Sequence, residues 1–149
     1  MKKVALAAVL ALALTAAGCG GGGSKTLSKG EYSSKLNQLC ADLNAKTKEI
    51  GEPSTIADIA DKGPQLLDEF DKTIGKVKDL KAPDELKDAA DKFISLGEQQ
   101  HDLISQLIDA AKNKDAAKIN ELGSKIDPLD QESNDIAKNQ LDAPACTEG

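Results

Sequence analysis

Between Tyr32 and Ala137 the large apolar residues recur at steps of three, four and seven. That spacing lays one apolar stripe along an α-helix. It occurs four times, with a turn signal between each pair of stripes. The first stripe is Tyr32, Leu36, Leu39, Leu43 and Ile50. Ser28-Lys29-Gly30-Glu31 precedes it as a capping box, with Ser at the N-cap and Glu three residues on. Gly51 and Pro53 end it. Cys40 lies on this stripe beside Leu36 and Leu43, so its sulfur is expected to face inward.

The second helix is expected to begin at Ser54 or Thr55. Its stripe runs Ile56, Ile59, Gly63, Leu66, Phe70, Ile74 (or Thr73), Val77 and Leu80. The phase continues through Gly63-Pro64, which predicts a kinked helix rather than two helices. The third helix opens with Pro83 at or near its first position, where a missing N–H does no harm. Asp84 and Glu85 suit the positive end of its dipole. Leu86, Ala90, Phe93, Leu96 or Gly97, Leu103, Ile104, Leu107 and Ile108 carry its stripe to about Asn113. The fourth helix starts near Asp115. Ile119, Leu122, Ile126, Leu129, Ile136 and Ala137 form its stripe, with Ser133 as a polar interruption. Asp127-Pro128 is a second kink or break, and Ala143-Pro144 ends the helical region.

Four helices joined by turns of a few residues predict an all-α, up-down-up-down four-helix bundle. The chain has two Phe, one Tyr and no Trp, so Leu, Ile and Ala must build the core. An aliphatic core under a surface rich in Lys, Asp and Glu is the usual make-up of a helical bundle.

Residues 1–18 have another character. Lys2 and Lys3 are basic, residues 4–14 are apolar, and Ala16, Ala17 and Gly18 are small. This is the three-part plan of a cleaved secretory leader. The apolar run is too short to span a bilayer, which takes about 20 residues. Leu14-Thr15-Ala16-Ala17-Gly18-Cys19 resembles a bacterial lipobox, with Ala16 at the place where that family usually carries Leu. The resemblance implies that Cys19 becomes the first residue of the mature protein, with palmitate-type acyl chains on its thiol and its new amino group. Stable anchoring takes two or more chains at about 0.8 kcal/mol per buried methylene. Residues 19–28 would then be the lipidated Cys and a flexible Gly/Ser tether with a reach of about 15–18 Å. Residues 29–149 would form the bundle domain.

Charge excludes some partners. Lys2 and Lys3 leave with the leader, which takes the 19 basic residues to 17 against 25 acidic ones and the net charge from −6 to −8. Every basic residue is Lys, so the forked phosphate grip of Arg is missing. Nucleic acid, which needs a clustered basic footprint, is not an expected partner. With Cys19 acylated, Cys40 and Cys146 remain as an even pair in an oxidising space and are expected to form a disulfide. In an up-down bundle the end of helix 4 lies beside the start of helix 1. A tail from Leu141 to Cys146, extended along the groove, would reach Cys40.

The leader, Leu-Cys-Ala-Asp-Leu-Asn around Cys40, the proline of helix 2, the Ala82-Pro83-Asp84-Glu85-Leu86 turn and the near-terminal Cys146 together resemble small helical lipoproteins of actinobacterial type. Those commonly end in Cys-Gly, where this chain ends Cys146-Thr147-Glu148-Gly149. The resemblance implies a lipid-anchored bundle with one disulfide, and no activity.

Chemistry is sparse. Glu98-Gln99-Gln100-His101 has the Glu-x-x-His spacing of di-iron bundles, which need two copies and two further Glu. The chain has a single His, so that centre cannot be assembled. Ser, His and Asp show no readable nucleophile-base-orienter pattern, and the glycine run at residues 20–23 lacks a phosphate-loop context. The acidic groups Asp58, Asp61, Asp68, Glu69 and Asp71 read as a solvated face. No enzyme activity, cofactor or metal is expected. The expected role is a lipoprotein on the extracytoplasmic face of the cell membrane, held in the bilayer by acylated Cys19. There it would act as a structural or interaction module toward another envelope protein or a wall component. The alternative is a small-ligand or metal binder using a kinked interior near Pro64, His101 and Pro128.

Overall fold

Ser28 and Thr55 start the first two helices as N-caps. The Ser28 hydroxyl accepts from the Glu31 N–H, and the Glu31 carboxylate accepts from the Ser28 N–H at 2.8 Å. Thr55 and Asp58 repeat the exchange at 3.1 and 3.0 Å, and Asp58 also takes the Ser54 N–H and hydroxyl. These bonds satisfy amides that a helix start leaves without partners. In this computed structural model residues 26–147 are described. The expected leader, Cys19 with its lipidation and the glycine run at residues 20–23 lie outside the described residues.

The helices are α1 (Lys29–Ile50), α2 (Ile56–Asp79), α3 (Lys87–Lys112) and α4 (Ala116–Asn139). Two 3-10 turns, Asp84–Leu86 and Pro144–Thr147, complete the described chain. This is the all-α four-helix bundle that the stripes predict. Gly51 ends α1 at φ 89°, a conformation that favours glycine. Lys114 takes the left-handed position after α3, at φ 56°. Its N–H donates to the Ala111 carbonyl and that of Asp115 to the Ala110 carbonyl, which closes the helix end.

Pro64 and Pro128 both lie inside unbroken helices. Both are exposed, so water can serve the carbonyl that each leaves without a helical partner. The helical turn expected to open at or near Pro83 opens at Asp84, as a 3-10 turn. Pro83 stays extended at ψ 157°, and its carbonyl accepts from the Leu86 N–H at 2.9 Å. The resulting 3-10 turn drives Leu86 into the core, 4% exposed, and α3 begins at Lys87.

Glycine fixes the register of α2 against α3. A Cβ on Gly63 would lie 2.7 Å from Ile108 Cγ1, and one on Gly97 would lie 2.5 Å from Ile74 Cδ1. Each helix thus offers one glycine and one isoleucine, and the two isoleucines fill the two gaps. Elsewhere the core is Tyr32, Leu36, Val77, Leu96, Leu122 and Leu141, all essentially inaccessible to solvent. Ala110 and Ala111 are buried as well, while Leu103, Ile104 and Leu107 are only half-buried.

The principal helix contacts run from α1 to α2, α2 to α3 and α3 to α4. The fourth side is closed differently. The C-terminal turn Pro144–Thr147 packs against both α1 and α4 and fills the seam between them. The tail therefore does not run extended along the groove as expected. Its N–H groups fold it back: Leu141 donates to the Ile136 carbonyl and Ala143 to the Ala137 carbonyl. Asp142 sits at φ 51° in the reversal. Leu141 and Ala143 are both fully buried.

Candidate binding cavity

Cys40 and Cys146 are joined as a disulfide, with Cα atoms 4.9 Å apart across a separation of 106 residues. Asn37 and Asn44 flank Cys40 at helical spacing on α1. The Asn37 side-chain oxygen accepts from the Ala145 N–H, and the Asn44 side-chain amide donates to the Ala145 carbonyl, both at 2.8 Å. The backbone of one tail residue is thus held through both its N–H and its carbonyl, while the next residue is bonded covalently. Sequence reasoning identified the cysteines and missed both asparagines. Their place one turn before and one turn after Cys40 was the available signal.

Behind this latch the bundle holds a cavity of about 300 Å³. The disulfide lies on its wall. Leu43, Phe70, Ile74, Val77 and Phe93 give the cavity an apolar lining, and Gly97 lets the wall of α3 recede. The polar side comes from α3 and α4. Gln100 is 6% exposed and donates through its amide to Asp130. Ser133 is 9% exposed, and its hydroxyl makes no hydrogen bond among the described residues. Asp130 stands at the edge, partly open to solvent. Burial pushes its carboxyl above the usual carboxylate range and the charge of Asp127 adds to this, while the bond from Gln100 opposes it. No lysine among the described residues forms an ion pair with Asp130.

The space is therefore not where a kinked interior was expected. Pro64, Pro128 and His101 do not line the cavity, and at Gly63 the interior is filled by Ile108. His101 is half-buried on α3, with its Nδ1 3.4 Å from the neighbouring Asp102 carboxylate. Glu98 of the Glu-x-x-His spacing instead pairs with Lys78 of α2 at 2.6 Å. No group of three or more His, Cys, Asp or Glu that could hold a metal occurs among the described residues. The acidic face carries lysine pairs: Lys72 bridges Asp68 and Glu69 at 2.6 and 2.9 Å. Exposed pairs of this kind add little to stability. Ser133 stood out in the sequence as the polar interruption of its stripe, and Gln100 could have been flagged the same way, because it too occupies a place where an apolar residue is due.

No helix among the described residues is long and apolar enough to cross a membrane. Comparison of the chain with family profiles, with curated proteins and with solved structures finds no match.

Proposed function

We propose that this chain is an extracytoplasmic lipoprotein, moored in the membrane by acylated Cys19, whose bundle acts as a structural or interaction module toward another envelope protein or a wall component. The observation that carries the reading is the Cys40–Cys146 disulfide. A bond that closes most of the chain persists in an oxidising compartment and is seldom kept in a reducing one. The leader and lipobox resemblance supply the route outward, and the bundle supplies a rigid body for contacts.

The test uses the full chain in its native host. The wild type should fractionate with membranes and show an intact mass carrying acyl chains at residue 19. Cys19→Ser should move to the soluble fraction with its disulfide intact. An unmodified wild-type amino terminus, or free thiols at Cys40 and Cys146, would overturn the proposal. In-cell crosslinking followed by mass spectrometry should then recover a reproducible envelope neighbour from the wild type. Failure to recover one would remove the interaction role.

A further inference from the structure

The cavity behind the disulfide joins two features that a filled helical core lacks. One wall is hydrocarbon and phenyl from three helices, and the volume is about 300 Å³, at the small end of ligand sites. The opposite side gathers the buried Gln100 amide, the Ser133 hydroxyl, which makes no hydrogen bond among the described residues, and the Asp130 carboxylate, which forms no ion pair among them. The Ser133 hydroxyl lines the cavity and can hydrogen-bond a guest that enters it. Gln100 donates one N–H to Asp130, and the remaining lone pairs of that solvent-exposed carboxylate can accept from a further donor. A guest anion would meet Asp130, with Asp127 close enough to perturb it. A guest without any polar group would use neither the carboxylate nor the hydroxyl.

We propose that this cavity binds a small organic monocation, an ammonium head on an aliphatic or aromatic body, with the head on Asp130 and Ser133 and the body against Phe70, Ile74, Val77 and Phe93. The two phenyl rings add a surface that tolerates a cation, since the face of an aromatic ring is negative. The disulfide forms part of the wall, so the tail latch and the site are one construction. The inference does not rest on the membrane anchor, and its test does not touch Cys19.

Three probes with the same body and different heads separate the contributions: 4-phenylbutylamine, 4-phenylbutan-1-ol and 4-phenylbutyrate, titrated calorimetrically into the full chain at neutral pH. The amine should bind at least tenfold more tightly than the carboxylate, with the alcohol between them. Asp130→Asn can still accept from Gln100, and it should erase the preference for the amine while keeping the alcohol's affinity. Thr73→Leu fills the cavity from α2 and should weaken all three. Circular dichroism of each variant confirms the fold. Equal binding of the three probes, an amine preference that survives Asp130→Asn, or no binding to folded wild-type chain would overturn the proposal.

Discussion

Replacing Gly97 by alanine sets two effects of known size against each other. Alanine is better than glycine in a helix interior by about 1 kcal/mol, because glycine gives up more backbone freedom. At Gly75 and Gly123 an added Cβ meets nothing within 4 Å. Gly75→Ala and Gly123→Ala should therefore each stabilise by about 1 kcal/mol, or about 4 °C in Tm for a domain of this size. At Gly97 the new Cβ would come within 2.5 Å of Ile74 Cδ1. Overpacking of this kind costs about 1–3 kcal/mol, so Gly97→Ala should be neutral or destabilising by up to about 2 kcal/mol. Gly63→Ala should fall at the larger end. Its clash reaches Ile108 Cγ1 at 2.7 Å as well as Cδ1 at 3.1 Å, and Cγ1 sits closer to the backbone. Ile74→Val removes the clashing methyl and alone costs about 0.5–1.5 kcal/mol. With Cγ1 left at 3.5 Å, Gly97→Ala in that background should recover the helix-propensity gain. The pair should then couple by about 1–3 kcal/mol. Urea unfolding with the disulfide intact measures all of these. If Gly97→Ala stabilises as much as Gly75→Ala, or if the double variant equals the sum of the singles, the account of the α2–α3 register is wrong.

Removing the disulfide by Cys40→Ala with Cys146→Ala should cost about 4–5 kcal/mol, from the loop-closure entropy of the 106-residue separation; denaturant midpoints of the oxidised and substituted chains compare directly. The Tyr32 hydroxyl is buried with no partner among the described residues, and burial raises its pKa to about 12 with a further contribution from Asp91. Tyr32→Phe should therefore be neutral or stabilising by up to about 2 kcal/mol, and a loss of stability in urea would point to a partner for the hydroxyl. Lys114→Gly should stabilise by about 0.5–1 kcal/mol in thermal melts, because a side chain is disfavoured in the left-handed region it occupies. Bonds first from Thr55 and then from Ser54 hold the Asp58 carboxyl at about 2, below its ordinary 3.8. A lowered folded value means stability present above about pH 4 and lost as the pH falls toward 2. The stability gap between wild type and Asp58→Asn should close across that window, and a gap that stays constant with pH counts against the capping role.

The helices were legible because their signals are local. Ser28 and Glu31, Gly51 and Pro53, and the three- and four-residue steps all act within one or two turns. Register and closure were less legible, since they depend on meetings across the fold. Gly63 and Gly97 lie in the stripes, but nothing near them in sequence announces Ile108 and Ile74. The prolines drew attention as sites of an opened interior, yet both rings face solvent and the helices pass through unbroken. The actual cavity forms where Gln100 and Ser133 interrupt apolar stripes and the folded-back tail closes the wall. Asp130 could not be singled out among 25 acidic residues, because only its position opposite Gln100 distinguishes it.

The sulfur bridge also decides how the molecule bears a mechanical load. Tension applied between the two ends of the chain enters α1, crosses at Cys40 to Cys146, and leaves. The intervening chain, about 350 Å if drawn out straight, is bypassed and stays slack. Only the first turns of α1 ahead of Cys40 can be peeled off by such a pull, so most of the bundle keeps its shape while its ends are strained.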